Sequence, residues 1–166
     1  MFGARFSRLS PLAIGVVTVS LVAAAMLFAS EFSTVASVDV ASGSCEVIQD
    51  TDPALADRCQ LSGIERNGGS FLLVGAVIAA MGWGAGVGRS RPAAVALVAL
   101  GVGVVVWSLA VDLPVTKKTG AIGESFEGAR AAAGAGLWLE LLAGVLAAGA
   151  GLAALFLQRL DHLKDA

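Results

Sequence analysis

PAAVALVALGVGVVVWSLAV, residues 92–111, holds no Asp, Glu, Lys or Arg, and its only hydroxyl is that of Ser108. The run is apolar on every side, so no period of 2 or 3.6 sorts it into a wet face and a dry one. A run of about 20 such residues, wound as a helix, matches the ~30 Å hydrocarbon core of a bilayer. Strands of a membrane barrel are about 10 residues long and alternate apolar with polar side chains, which this run does not do. A helix also satisfies each backbone amide within its own segment, the requirement lipid imposes.

Three further tracts repeat the pattern. Residues 9–30 and 67–88 are free of charge, and 131–158 carry Glu140 alone. The reading is an all-α integral membrane protein: a four-transmembrane-helix bundle with spans at 11–29, 71–88, 93–111 and 134–157. Between and around them lie tails 1–10 and 158–166, a first outer loop 30–70, a connector 89–92 and a second outer loop 112–133. The first span exceeds the 7–15-residue apolar region of a secretory leader, and Phe28 is too large for a cleavage site before Glu31, so it reads as an uncleaved anchor.

Composition excludes the other classes. Of 166 residues 57% are hydrophobic and 14% charged, an excess that a soluble domain of this size has no interior to hide. The same numbers exclude disorder. A net charge of −2 argues against a nucleic-acid partner. Heavy Ala, Gly and Val usage with no tyrosine points to a GC-rich bacterial source.

Basic residues near span ends set orientation. Arg5 and Arg8 in the first tail, Arg89 and Arg91 in the connector, and Arg159 and Lys164 in the last tail fall on one side of a four-span chain. That side is the cytoplasm, giving N-in and C-in in the cell (inner) membrane, with the large loop extracytoplasmic. Trp83, Trp107 and Trp138 then lie near the headgroup levels that indoles prefer.

The first outer loop is too long for a plain turn. Thr34–Val40 and Cys45–Ile48 read as a short hairpin, and Asp52-Pro53 as the start of a short helix reaching Cys59. Cys45 and Cys59, the only cysteines, are expected to form a disulfide on the oxidising side. Closing a loop of about 15 residues restrains the unfolded chain by roughly 3 kcal/mol. A redox-active pair is the alternative, without the usual Cys-x-x-Cys spacing. In the second loop Pro114 is expected to end the third span. Lys117-Lys118 lacks the glycine pattern of a phosphate loop. Residues 125–130 read as a solvated loop, with Glu127 and Arg130 spaced to pair.

Small residues mark faces where helices meet in lipid. Gly75, Ala79, Gly82 and Gly86 mark the second span, Ala99 and Gly103 the third, and Gly144, Ala147, Ala148 and Gly151 the fourth. Glu140 is the one ionisable residue well inside a span. Such a carboxyl is costly unless paired or neutralised, which makes it a candidate site. Two roles are open to it: a structural one, bonded to Ser or Thr hydroxyls or to Lys117, Lys118 or Arg130, and a protonatable or cation-binding one. His162, the single histidine, lies in the last tail. One histidine and two loop cysteines build no haem, zinc or di-metal site, and no catalytic triad or nucleotide loop can be assembled. No catalytic residue, metal ligand or cofactor is therefore expected.

The outline resembles that of claudin-like tetraspan proteins at the level of architecture: four helices, a large cysteine-bearing first outer loop and short inner tails. The Gly-Leu-Trp that precedes the cysteines there is missing here and the cysteine spacing is longer, so no function is carried over. Nearly inert spans with small-residue faces predict a non-catalytic accessory or scaffold subunit, or an envelope component. Its expected partners are the lipid bilayer and a protein partner or a second copy. A channel or small-transporter subunit, with Thr18, Ser20, Ser108 or Glu140 lining an oligomeric pore, is the alternative, and a membrane-bound redox enzyme the third reading.

Overall fold

A computed structural model describes residues 11–40, 59–125 and 127–164. Four long helices organise it: α1 (Pro11–Glu31), α3 (Ser70–Gly86), α4 (Arg91–Trp107) and α7 (Ala135–Lys164). Helix α1 packs on α3 and α7, and α4 packs on α7 and α3, so the four enclose one core. Helices α1, α7 and the stretch Arg91–Val115 are long and apolar enough to cross a membrane, while the apolar α3 is shorter at 17 residues.

Side-chain size is sorted inside out. The core between the helices is rich in alanine, with Ala23, Ala94, Ala143 and Ala147 wholly buried beside Leu27, Ile78 and Leu97. Large side chains point away from it: Leu73 is 73% exposed, Phe156 63% and Val145 59%. Water would penalise that surface heavily, whereas lipid is as apolar as leucine and leaves close packing of small residues to hold the helices together.

One end of the bundle carries a three-stranded antiparallel sheet in the order β2-β1-β3, built from β1 (Thr34–Asp39), β2 (Gln60–Ser62) and β3 (Arg130–Ala133). Ala36 stands opposite Ala133 and Asp39 opposite Arg130. Ala36 also faces Leu61, and the register shifts between Thr34 and Ala36. The sheet thus draws together the two segments read as outer loops. Under it Val38, Val40, Cys59 and Ile122 form a second small core.

Several expectations need correction here. Residues 130–133, the end of the second outer loop, form a strand, because the free edge of β1 offers their backbone partners that outweigh the helix preference of Ala-Ala-Ala. Within the described residues β1 pairs with β2 and β3; the expected partner Cys45–Ile48 and the expected helix from Pro53 lie outside them, as do Arg5, Arg8 and Cys45 itself. Pro114 does not end the third span. After α4 the chain widens into a π-helical turn (Ser108–Asp112) and resumes in α5 (Leu113–Val115). A proline lacks the N–H that an α-helical ladder needs and crowds the carbonyl four residues back. The wide turn, in which the Leu113 N–H donates to the Ser108 carbonyl, takes up the misfit.

Two short helices complete the chain, α2 (Gly63–Asn67) and α6 (Gly120–Ser125). Ser62 and Glu65 form a reciprocal capping box on α2. The Ser62 backbone N–H and hydroxyl hold the Glu65 carboxyl below its ordinary range. A depressed carboxyl stabilises above the unfolded value and stops doing so as pH falls through the folded one. The protection of the first amides of α2 against hydrogen exchange, taken relative to the free-peptide rate at each pH, is therefore expected to fall on acidification, and in Glu65→Ala to be already low at neutral pH.

Candidate functional site

The sheet end of the bundle holds a polar cluster with no counterpart among the other described residues of the core. Glu31, Ser108, Asp112 and Glu140 are each 0% exposed. They come from three elements: the last residue of α1, the two ends of the π-helical turn, and α7 about a turn and a half from its start.

Glu31 completes the start of α3. Gly69, before that helix, has φ 79° and supplies no side-chain cap. The amide of Phe71 is thereby left without a partner in its own helix. Glu31 Oε1 accepts from it at 2.7 Å, placing a carboxylate where the positive end of the helix dipole favours one. Glu31→Ala strands that buried amide and is expected to destabilise the bundle by about 1–3 kcal/mol. Glu31→Gln, which keeps an oxygen there, should lose less; thermal melts in detergent distinguish the two.

Arg66 reaches the cluster from α2. Gly63 seats that helix on the end of α1, since a Cβ there would stand 2.5 Å from the Ser30 carbonyl oxygen. Arg66 Nε donates to Asp112 Oδ1 at 3.2 Å and Nη2 to the Val111 carbonyl at 3.2 Å. Its side chain is 29% exposed while that of Asp112 is fully buried, so the guanidinium closes the cluster from the sheet side.

Ser108 and Asp112 lie four residues apart in the wide turn, and both are buried. The Ser108 hydroxyl donates to Glu140 Oε2 at 3.1 Å. Asp112 sits on this same turn, which packs on α7, so Asp112 and Glu140 belong to one buried helix contact. One oxygen of each carboxyl, Glu31 Oε2, Asp112 Oδ2 and Glu140 Oε1, is buried without a donor. Among the described residues only Asp112 of these three buried carboxyls meets a cation, a balance that an apolar interior does not tolerate in fully ionised form.

Glu140 thus accepts from a serine hydroxyl on the wide turn that also carries Asp112. Arg66, Asp112 and Glu31 were missed because they flank uncharged tracts, where a charge ordinarily reads as the start of a loop. The signal available was position: Glu31 and Asp112 are the first charges after 9–30 and 92–111.

The remaining candidates fall as follows. Trp83, Trp107 and Trp138 are 50%, 49% and 60% exposed, and Trp107 Nε1 donates to Asn67 Oδ1 at 3.4 Å. Arg89 and Arg91 lie at the end away from the sheet, Arg89 with φ 49°. Arg159 and Lys164 fall in the last turns of α7, past the apolar stretch of that helix. Cys59 is buried, its Sγ 3.2 Å from the Val38 carbonyl. Gly75, Gly82 and Gly86 abut α1, and Gly144 and Gly151 abut α4. Ala147 is in the core, Ala79 packs partly against it, and Ala148 meets Gly101. Ala99 and Gly103 meet no other helix of the same copy: both are exposed, and a Cβ on Gly103 would meet nothing within 4 Å. Gly101 makes the contact instead, because an all-apolar helix shows no stripe that marks its inner face. Ser20 donates to the Val16 carbonyl within its own helix and is fully buried, while Thr18 is exposed, so neither lines a channel within one copy.

Compared with protein-family models, with curated proteins and with solved structures, the chain gives no match.

Proposed function

We propose that this is a non-catalytic four-span protein of the cell membrane, an accessory or scaffold subunit that docks on another membrane protein or on a second copy. In this reading α3 is the fourth span, both tails are cytoplasmic, and the sheet with a Cys45–Cys59 disulfide stands outside as a stapled surface. Support for the orientation comes from Arg89, Arg91 and Arg159, which lie at the end away from the sheet, in keeping with the excess of basic residues in cytoplasmic segments.

The observation that carries the reading is the outward face of α4. The inward small residues are already used between helices, yet Ala99 and Gly103 remain open. With Val74, Leu100 and Trp107 they line an apolar groove of about 360 Å³ between α3 and α4. Small residues facing lipid let a further helix approach closely, and van der Waals packing drives association there. The test is tagged protein extracted in mild detergent. A stable larger assembly is expected, and Gly103→Leu should reduce it to the single chain without lowering the melting temperature, since nothing inside the bundle touches that position. Wild-type protein running as a lone monomer, or an assembly indifferent to Gly103→Leu, overturns the reading.

The buried carboxyl cluster favours one second reading, a subunit of an oligomeric channel or small transporter. Ordered oligomers with a water-filled axis would support it over the first.

A further inference from the structure

The two carboxyls that come together between α4 and α7 present a chemical requirement. Asp112 Oδ2 and Glu140 Oε1 are both buried and neither has a donor among the protein's own groups. The turn that carries Asp112 packs on α7 and is tied to Glu140 through Ser108, so the two donor-less oxygens lie buried at one helix contact. Two carboxylates repel, and a hydrogen bond between them exists only if one proton lies in it.

The surrounding charges leave room for that proton. From α2, Arg66 neutralises Asp112 through Oδ1. From the wide turn, Ser108 donates to Glu140 through Oε2. From α1, Glu31 adds a further negative charge and is itself directed at the amide of Phe71. The surplus of negative charge thus falls on the Asp112–Glu140 contact. Among the described residues no three His, Cys, Asp or Glu side chains are arranged to hold a metal ion. A single pairwise contact suits a proton, whereas a bound metal cation gathers several oxygens around itself.

We propose that Asp112 and Glu140 form an internal proton-binding site, one proton being held between Asp112 Oδ2 and Glu140 Oε1 behind the partly exposed Arg66. The proton is the ligand, and it fastens the π-helical turn after α4 to α7. The site stands apart from the docking reading, since its members are buried and none lies on the groove beside Ala99 and Gly103.

Infrared spectroscopy of the full chain in lipid vesicles tests this directly. At neutral pH the wild type should show the carbonyl band of a protonated carboxyl, moving to lower frequency in deuterated water. Glu140→Gln and Asp112→Asn should each abolish it, because the introduced amide donates to the surviving carboxylate in the proton's place and preserves the fold. Melting curves of both variants establish that they are folded, and Glu127→Gln, on the exposed second loop, should leave the band intact. Exchanging potassium for sodium should not affect it. A wild type without the band, a band that survives either substitution in folded protein, or a band displaced by sodium would each overturn the proposal.

Discussion

Gly101→Ala is expected to lower the stability of the bundle by about 1–3 kcal/mol, although it adds only one methyl group and introduces the better helix former. The added Cβ would stand 2.5 Å from the Gly144 carbonyl oxygen and closer still to the Ala148 amide nitrogen. Both obstacles are backbone, so no rotamer change relieves the clash. Helices α4 and α7 must move apart, and every contact along that seam weakens with them, including the fit of Gly144 and Gly151 against α4. Lipid offers no hydrophobic compensation for the separation. Gly103→Ala, two residues further on, fills open space and is expected to change stability by no more than about 0.5 kcal/mol. Thermal unfolding of the two variants in the same detergent makes the comparison. Equal melting temperatures would mean that the α4–α7 seam is not held by backbone approach.

Arg66→Ala is expected to cost about 3–5 kcal/mol, toward the lower figure because the guanidinium is partly exposed. The loss comes from what is left behind: a fully buried Asp112 without its cation, and a Val111 carbonyl without its donor. Arg66→Lys should recover only part of it, since an ammonium lacks the planar fork that serves both acceptors at once. Asp112→Asn should be milder than Arg66→Ala, as it removes the buried charge instead of stranding it. The two effects should not add, and the doubly substituted protein should be more stable than the sum of the single losses predicts. Melting of the four proteins measures that coupling. Additive losses would mean that Arg66 and Asp112 act independently.

Much of the helical framework was legible because membrane partitioning is nearly additive along the chain. A tract such as 92–111 declares itself by what it lacks, and α4 begins at Arg91, where Ser90 caps the helix by accepting from the Ala93 amide and Pro92 suits its first turn. The strand over Thr34–Asp39 was legible for the same local reason, alternation of Val with Ala, Ser and Asp. Its partners were not. Arg130–Ala133 has the composition of a helix and became a strand only because β1 presents an unpaired edge to it, from a position nearly a hundred residues earlier in the chain.

The candidate site divides in the same way. Glu140 could be singled out from its isolation in an apolar tract. Its neighbours could not, because Glu31, Arg66 and Asp112 each sit at the boundary of such a tract, where sequence locates a residue along the membrane normal only to within a turn of helix. Their burial depends on α2 seating on α1 through Gly63, which brings Arg66 to Asp112, and on the wide turn before Pro114 packing against α7.

By itself, then, the sequence determined where the chain enters an apolar phase, since transfer from water is a sum over neighbouring residues and needs no partner. The tertiary structure alone decided which faces of those helices meet, which segments join the sheet, and that three acids are buried at one end of the bundle with Arg66 on Asp112. Those outcomes rest on pairwise contacts across the fold: steric contact between backbones, a donor for an acceptor, a cation for a carboxylate. Such terms take their value only when distant residues are brought within a few ångströms of one another.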